Sequence, residues 1–149
     1  MKNKKLIAVF LILLCFSIQN VFARETSLHN ADVPFFVEIR NVTVNGGLIF
    51  LGYYTSQEAF SNQRPDWHTL IEPISETIIY EIHLPPGEYM IGLHQDTNGN
   101  GIMDYGLFGI PREPYGFSNM RGKAPGRFDQ LKFRINNPNE RIIIPLVRF

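Results

Sequence analysis

Short apolar runs separated by Gly, Pro and Asn follow Asp32, and this pattern constrains the fold most. Residues 33–44 (VPFFVEIRNVTV) alternate with a period of two, as a half-buried strand does, up to a predicted bend near Asn41. Residues 48–54 (LIFLGYY) are apolar on both faces and predict a central strand. Short apolar runs of this kind recur as far as residues 141–149 (RIIIPLVRF), and they predict an all-β fold. We expect a single antiparallel β-sandwich of about seven strands, of the transthyretin/Ig-like kind.

Two turn sequences predict hairpins between neighbouring runs. The residues Asn45–Gly47 (NGG) have the turn chemistry of a hairpin between the first two runs. The residues 85–87 (PPG) join run 76–84 to run 88–96, and a pairing of Leu84 with Tyr89 would fix the register. Alternation on both arms then predicts one wholly apolar face, made of Tyr80, Ile82, Leu84, Tyr89, Ile91 and Leu93.

Residues 1–23 have the pattern of a secretory signal peptide. Three lysines lie among the first five residues, and an apolar run of 13 residues (6–18) follows. The small residues Val21 and Ala23 precede a predicted cut before Arg24. Because a membrane-spanning helix needs roughly 20 residues, we expect cleavage after Ala23 rather than an anchor. Residues 24–32 are then a polar, flexible tail, and the β-sandwich domain occupies residues 33–149.

Cleavage would also change the chemistry of the chain. It removes the only cysteine, Cys15, so no disulfide can form and the domain must be held by packing or by a bound ion. It leaves 126 residues, enough for one domain with its own core. These carry 14 acidic and 11 basic residues, without the basic stripe of a nucleic-acid-binding protein. We expect a secreted or periplasmic protein with no nucleic-acid partner and no transmembrane segment in the mature chain.

The most specific chemical feature is the loop of residues 96–104 (DTNGNGIMD). An EF-hand loop places oxygen ligands at its first, third, fifth, seventh and ninth positions and glycine at its sixth. Gly101 occupies the sixth position here, and the ligand positions hold Asp96, Asn98, Asn100, Ile102 (through its carbonyl) and Asp104. The twelfth position holds Leu107 instead of the usual glutamate, which predicts weak binding of Ca²⁺. The alternative, an ordinary Asn-Gly turn, explains the asparagines and glycines but not an aspartate at each end.

The segment 105–128 is rich in Gly, Pro and aromatic residues and has no clear period. A loop this long inside a compact domain is usually functional or disordered. Candidate ligand-contact residues within it are Glu113, Tyr115 and Phe117. Glu113 could complete the cation shell or anchor the loop, and the two rings, with Phe108, could form a platform for a glycan or a peptide. The alternative is that these aromatic residues form a small core beneath the loop.

Catalytic motifs are missing from the sequence. There is no nucleophile elbow, phosphate-binding loop, Cys-His pair or zinc spacing, so we expect a protein that is not an enzyme and has no catalytic residues. Two alternatives remain open. One is a hydrolase-like enzyme with its site on the 105–128 loop, where Glu113 as an acid would need a partner carboxylate or histidine. The other is a structural protein associated with the outer membrane through an exposed edge strand.

Three linked motifs resemble a known family. They are Leu84–Tyr89 (LPPGEY), His94–Asp104 (HQDTNGNGIMD) and Gly109–Ser118 (GIPREPYGFS). In this order they resemble the domain of unknown function 2141 family, which consists of uncharacterised secreted bacterial proteins. LPPGEY is also similar to a turn in transthyretin-like and carboxypeptidase regulatory-like β-sandwiches, where it joins two strands of a non-catalytic module. The resemblance implies a β-sandwich architecture, and it implies no activity because the family has none established.

Overall fold

A computed structural model describes residues 32–149. The predicted signal peptide and nearly all of the predicted tail lie outside this range. The strands are β1 (Val33–Arg40), β2 (Ile49–Tyr54), β3 (Trp67–Ile71), β4 (Thr77–Leu84), β5 (Gly87–Gln95), β6 (Tyr115–Phe117), β7 (Phe133–Ile135) and β8 (Glu140–Pro145). The other elements are α1 (Gln57–Ser61), a 3-10 turn (Leu107–Gly109) and α2 (Phe128–Leu131). Within the described range no helix has the length and apolar character needed to cross a membrane.

The eight strands form two sheets, which confirms the all-β sandwich. One sheet has the order β4-β1-β8, and the other has the order β3-β2-β5-β6, with β7 pairing to the first half of β5. The prediction of a purely antiparallel arrangement needs one correction, since β1 and β8 run parallel. As predicted from its apolar residues on both faces, β2 is central, with β3 on one side and β5 on the other.

Neither predicted hairpin exists, because each turn carries the chain from one sheet to the other. Leu84 pairs with Val33 in the first sheet, whereas Tyr89 pairs with Phe133 in the second. The two prolines of the PPG turn supply no N–H groups with which a ladder between β4 and β5 could begin. Asn45–Gly47 likewise connects β1 in one sheet to β2 in the other.

The predicted faces are nevertheless those that form the core. Ile82 and Leu84 on β4, and Ile91 and Leu93 on β5, are buried in the cluster between the sheets. They face one another across the sandwich instead of lying side by side in one sheet. The alternation therefore indicated which side chains are buried, whichever strands pair.

A second, smaller cluster covers part of the outer face of the five-stranded sheet. It consists of the buried residues Tyr54, Met90, Phe128 and Leu131, against which Ala59, Phe60, Phe117 and Met120 pack. Helices α1 and α2 supply several of these side chains, so they cover strands β2 and β5 from outside. Part of the 105–128 segment thus contributes to a small core, as the alternative interpretation of its aromatic residues proposed.

Asn41 ends the first strand where the sequence predicted a bend. It has a φ of 60°, in the left-handed region that asparagine tolerates better than most residues. Strand β1 stops at Arg40, and Val42 beyond the bend is again buried. Close to this end of β1, the buried carboxylate of Glu38 pairs with Arg40 and with Arg141 of β8, at N–O distances of 2.6 Å and 2.8 Å.

Candidate functional site

The Asp96 side chain organises the 96–104 loop from its first position. One carboxylate oxygen accepts the backbone N–H groups of Gly99, at 2.7 Å, and Asn100, at 3.2 Å. The other accepts the N–H of Gly101 at 2.7 Å. Gly99 and Gly101 have φ values of 76° and 79°, and glycine adopts this left-handed conformation at little cost. The alternating glycines therefore let successive N–H groups point inward to one carboxylate.

Asp96 is charged at neutral pH despite being only 8% exposed. Burial by itself raises the pKa of this carboxyl, but the N–H groups of Gly101, Gly99 and Asn100 together lower the pKa below its ordinary value of 3.8. The loop is thus built around a fixed negative charge that its own backbone partly neutralises.

Asp104 closes the loop from the other end. One of its carboxylate oxygens accepts the side-chain amide of Asn98 and, at 3.0 Å, that of Asn100. Since the backbone N–H of Asn100 is bonded to Asp96, this one residue connects both aspartates. Both carboxylates therefore accept hydrogen bonds from groups within the loop.

The loop offers oxygen ligands only, which suits Ca²⁺. Among residues 32–149, no three His, Cys, Asp or Glu side chains form a group that could hold a metal ion. A cation here would therefore depend on amide and backbone oxygens as well as carboxylates. The side-chain oxygens of Asn98 and Asn100 accept the N–H groups of Asn100 and Ile102, and a carbonyl oxygen has a second lone pair for a cation. The donor chemistry fits a weakly held hard cation.

Glu113 lies beside the start of this loop and is 2% exposed. Its Oε1 accepts the N–H of Thr97 at 2.8 Å, whereas its Oε2 is buried with no hydrogen-bond partner within the described part of the chain. The N–H of Gln95 donates to the carbonyl of Pro114, and that of Arg112 donates to the carbonyl of Asp104, both at 2.9 Å. Residues 112–114 are thus bonded to residues at both ends of the loop.

Tyr115 is not available for the predicted aromatic platform, because it is 1% exposed. Its hydroxyl donates to the carbonyl of Lys123, and its backbone pairs with Val147. Phe117 is half-buried and packs edge-on against Phe60 at a centroid separation of 5.7 Å. The platform prediction is therefore wrong for Tyr115, since strand β6 turns that ring inward.

Phe117 instead helps to line a cleft on the outer face of the five-stranded sheet. The cleft has a volume of about 450 Å³, within the range of small-molecule sites. Its aromatic walls are Phe50, Tyr54, Phe60, Tyr105 and Phe117. Residues 101–103 of the 96–104 loop also line the cleft. Loop and cleft are therefore neighbours with one shared wall.

His94 is the one readily ionised side chain among the described residues that line the cleft. None of the described residues lining it is Asp, Glu, Lys or Arg. His94 stacks on Phe50 at a centroid separation of 5.0 Å. Burial lowers the pKa of His94, and the charges of Glu113 and Asp96 oppose that change without reversing it. At neutral pH the lining is consequently uncharged.

Sequence reasoning missed the part of the cleft that comes from β2 and α1. Phe50 and Tyr54 lie on β2, and Phe60 lies on α1. All three precede the segment 105–128, in which the sequence indicated ligand-contact residues, by more than 30 residues. Phe50 and Tyr54 share the phase of strand β2 that points away from the core, so alternation within LIFLGYY held the available signal.

Comparison with family models gives one match. The model described as "Uncharacterized protein conserved in bacteria (DUF2141)" matches residues 37–143. The chain belongs to the DUF2141 family. Comparison with curated proteins and with solved structures gave no match. Membership in the DUF2141 family confirms the resemblance carried by the three motifs, and all three lie inside the matched range.

Proposed function

We propose that this DUF2141 protein is an exported, non-catalytic β-sandwich binding module whose 96–104 loop is stabilised by Ca²⁺. The observation that carries the cation part is the convergence of Asp96 and Asp104 on one loop through Asn100. The ligands would be Asp96, Asn98, Asn100, Ile102 and Asp104. When bound, the cation would supply positive charge between the two carboxylates and so hold the loop against the sheet.

The expected affinity is weak, near millimolar, because the loop has two carboxylates and lacks the bidentate glutamate of an EF-hand. At ten times its dissociation constant, Ca²⁺ would stabilise the fold by about 1.4 kcal/mol. For a domain of this size that free energy corresponds to a rise in melting temperature of roughly 5 °C.

Thermal unfolding in 10 mM Ca²⁺, 10 mM Mg²⁺ and EDTA tests the cation. We expect the midpoint to rise with Ca²⁺ and to rise less with Mg²⁺. Asp104→Asn is the diagnostic variant, because Asp96 orders the loop backbone whether or not a cation binds. Asp104→Asn should abolish the response to Ca²⁺, and Glu72→Gln, an exposed carboxylate in the connection before β4, should retain it. Equal unfolding midpoints of the wild-type protein in Ca²⁺ and in EDTA would contradict stabilisation of the fold by Ca²⁺.

Export is supported by the sequence of residues 1–23, in which a basic start, a short apolar run and small residues before the predicted cut follow one another. Expression of the whole chain in a bacterium, followed by cell fractionation and intact-mass measurement, tests this part. The expected product lies outside the cytoplasm and begins at Arg24. A cytoplasmic product that still carries residues 1–23 would contradict export.

The binding part of the proposal concerns the aromatic cleft. Its half-exposed rings and uncharged lining suit a neutral glycan or a peptide with apolar side chains, and these are the two ligand classes to screen. Binding is measured on an array of glycans and peptides, first with the wild-type protein and then with Tyr105→Ala. Tyr105 is chosen because it is an exposed ring of the cleft wall. Phe149→Ala is the matched control, because Phe149 is exposed and does not line the cleft. Signals that persist in Tyr105→Ala would exclude the cleft as the binding surface.

A hydrolase-like enzyme is the second candidate, and one observation favours it. Glu113 is buried near His94, which lines the cleft, and its charge opposes the lowering of the His94 pKa by burial. Glu113 would serve as an acid or base with His94 as its partner. A panel of ester, peptide and glycoside substrates tests this candidate. Hydrolysis that is lost in both Glu113→Gln and His94→Gln would favour the enzyme over the binding module.

A further inference from the structure

Residues 105–111 form a narrow projection, which we call the apolar finger. Tyr105 and Pro111 pair as an isolated antiparallel bridge at its base. The N–H of Gly106 donates to the carbonyl of Ile110 at 2.7 Å, so the two sides are bonded to each other. Just below the base, the N–H of Arg112 donates to the carbonyl of Asp104. The finger is therefore a hydrogen-bonded hairpin, and it begins where the 96–104 loop ends.

The tip of the finger displays large apolar side chains to solvent. Phe108 is 97% exposed and Leu107 is 81% exposed, more than any other large hydrophobic residue that the structure describes. Phe108 also has a φ of 61°, a left-handed conformation that is unusual for a bulky residue. Strained residues of this kind concentrate at functional sites, and exposed apolar groups in clusters mark interaction surfaces.

One exposed basic side chain, that of Arg112, lies against the finger. The segment 105–128 contains the basic residues Arg112, Arg121, Lys123 and Arg127, and its only acidic residue, Glu113, is buried. The Arg112 side chain lies across the finger, with its Nε 3.3 Å from where a Cβ on Gly106 would be. At the base of the finger, one oxygen of Asp104 accepts the side-chain amides of two asparagines of the 96–104 loop. An exposed apolar tip thus stands next to one exposed arginine, Arg112.

We propose that the apolar finger inserts into the interfacial region of an anionic lipid bilayer, with Leu107 and Phe108 among the acyl chains and Arg112 at the headgroups. A bilayer accepts a convex apolar tip, whereas a specific protein interface needs roughly 800 Å² on each partner, far more than such a tip offers. Lysine and arginine beside an inserted apolar group attract anionic lipid and strengthen such binding. The inference does not depend on the cation or on the cleft.

Co-sedimentation of the purified, exported chain with lipid vesicles tests this surface. Vesicles of phosphatidylcholine with a third phosphatidylglycerol are compared with phosphatidylcholine alone, each in Ca²⁺ and in EDTA. We expect binding to the anionic vesicles in both conditions. The double variant Leu107→Ser/Phe108→Ser should weaken this binding by at least about tenfold, because two apolar groups no longer leave water. Arg112→Gln should weaken binding to anionic vesicles by a smaller factor.

Ile74→Ser is the matched control, since Ile74 is 80% exposed and lies far along the chain from the finger. It should bind vesicles as the wild-type chain does. All these side chains are at the surface, so equal melting temperatures would establish that each variant is folded. Absence of vesicle binding, or binding that Leu107→Ser/Phe108→Ser leaves unchanged, would overturn the proposal. A wild-type dimer that the double variant dissolves would overturn it as well, because the finger would then have a protein partner.

Discussion

The backbone N–H of Thr97 donates to Oε1 of Glu113 over 2.8 Å, and this bond joins two segments that are 16 residues apart. Thr97 belongs to the 96–104 loop, and Glu113 follows the apolar finger. The N–H of Arg112 also donates to the carbonyl of Asp104. Together the two bonds hold residues 112–113 against the 96–104 loop. Glu113 is thereby an anchor for the loop, a role that needs only one of its two carboxylate oxygens.

Replacement of Glu113 should reveal this anchoring role. Glu113→Ala leaves the N–H of Thr97 without its charged acceptor, so we expect a loss of roughly 2 kcal/mol in the free energy of unfolding. Glu113→Gln keeps an acceptor oxygen for Thr97 and should lose much less. Urea denaturation measures both. A Glu113→Ala protein as stable as the wild type would show that the bond to Thr97 contributes nothing.

Stability should fall in acid because of Asp96. Its folded-state pKa is lowered, so it contributes stability that is complete above its ordinary value of 3.8 and is lost as pH falls through the lower folded value. Glu38 acts in the same direction, because its hydrogen bonds with Arg141 and Arg40 lower its pKa. Thermal melts between neutral pH and pH 2 should show a falling midpoint below about pH 4. Asp96→Asn should flatten this fall, whereas Glu72→Gln should not.

Gly47 should tolerate no side chain. A Cβ at Gly47 would lie 1.8 Å from the carbonyl oxygen of Asp96, and its φ is 95°. Gly47→Ala should therefore cost more than about 3 kcal/mol of stability, among the larger effects of single substitutions. Gly99→Ala is the control, since Gly99 has a φ of 76° and nothing within 4 Å of an added Cβ. It should cost only about 1 kcal/mol, the penalty of a left-handed alanine, and similar values for both variants in chemical denaturation would contradict the steric clash.

Gln95 should be more important to stability than its polarity suggests. The side chain is fully buried and accepts the N–H of Thr43 while donating to the carbonyls of Thr43 and Gly47. Gln95→Leu leaves three backbone groups without these bonds, so we expect a loss of about 3 kcal/mol. Gln130→Leu, at an exposed position on α2, is the comparison and should cost under about 1 kcal/mol. Equal stabilities in urea would show that water replaces the lost partners of Gln95.

The sequence predicted which side chains are buried better than which strands are neighbours. Alternation in residues 76–96 identified Ile82 and Leu93 as core residues, because a period of two reports which face is apolar. It carries no information on pairing partners, and so the PPG turn was assigned to a hairpin when it crosses between sheets. The parallel pairing of β1 with β8 joins segments about 100 residues apart, and no local pattern encodes it.

The sequence indicated the 96–104 loop of the candidate site, but it did not indicate how the residues around that loop are arranged. The spacing of Asp96 and Asp104 predicted a loop with a carboxylate at each end, and both carboxylates are hydrogen-bonded within that loop. Ligation of a cation by these residues stays a prediction. The sequence left open whether Tyr115 belongs to an exposed platform or to a small core, because a Gly/Pro-rich segment gives no alternation that indicates the direction of a side chain. Strand β6 is only three residues long, and its pairing with β5 decides that Tyr115 points inward.

The position of β1 at the centre of its sheet has a consequence for how the chain reaches its native state. Its two neighbours are β4, which begins at Thr77, and β8, which begins at Glu140. Strand β1, the first that the structure describes, can therefore pair with its second neighbour only after residues 140–145 have been synthesised. Such distant pairings slow folding, because entropy is lost before contacts compensate for it. For the exported chain proposed above, that delay would keep the polypeptide unfolded during its passage through a translocation channel.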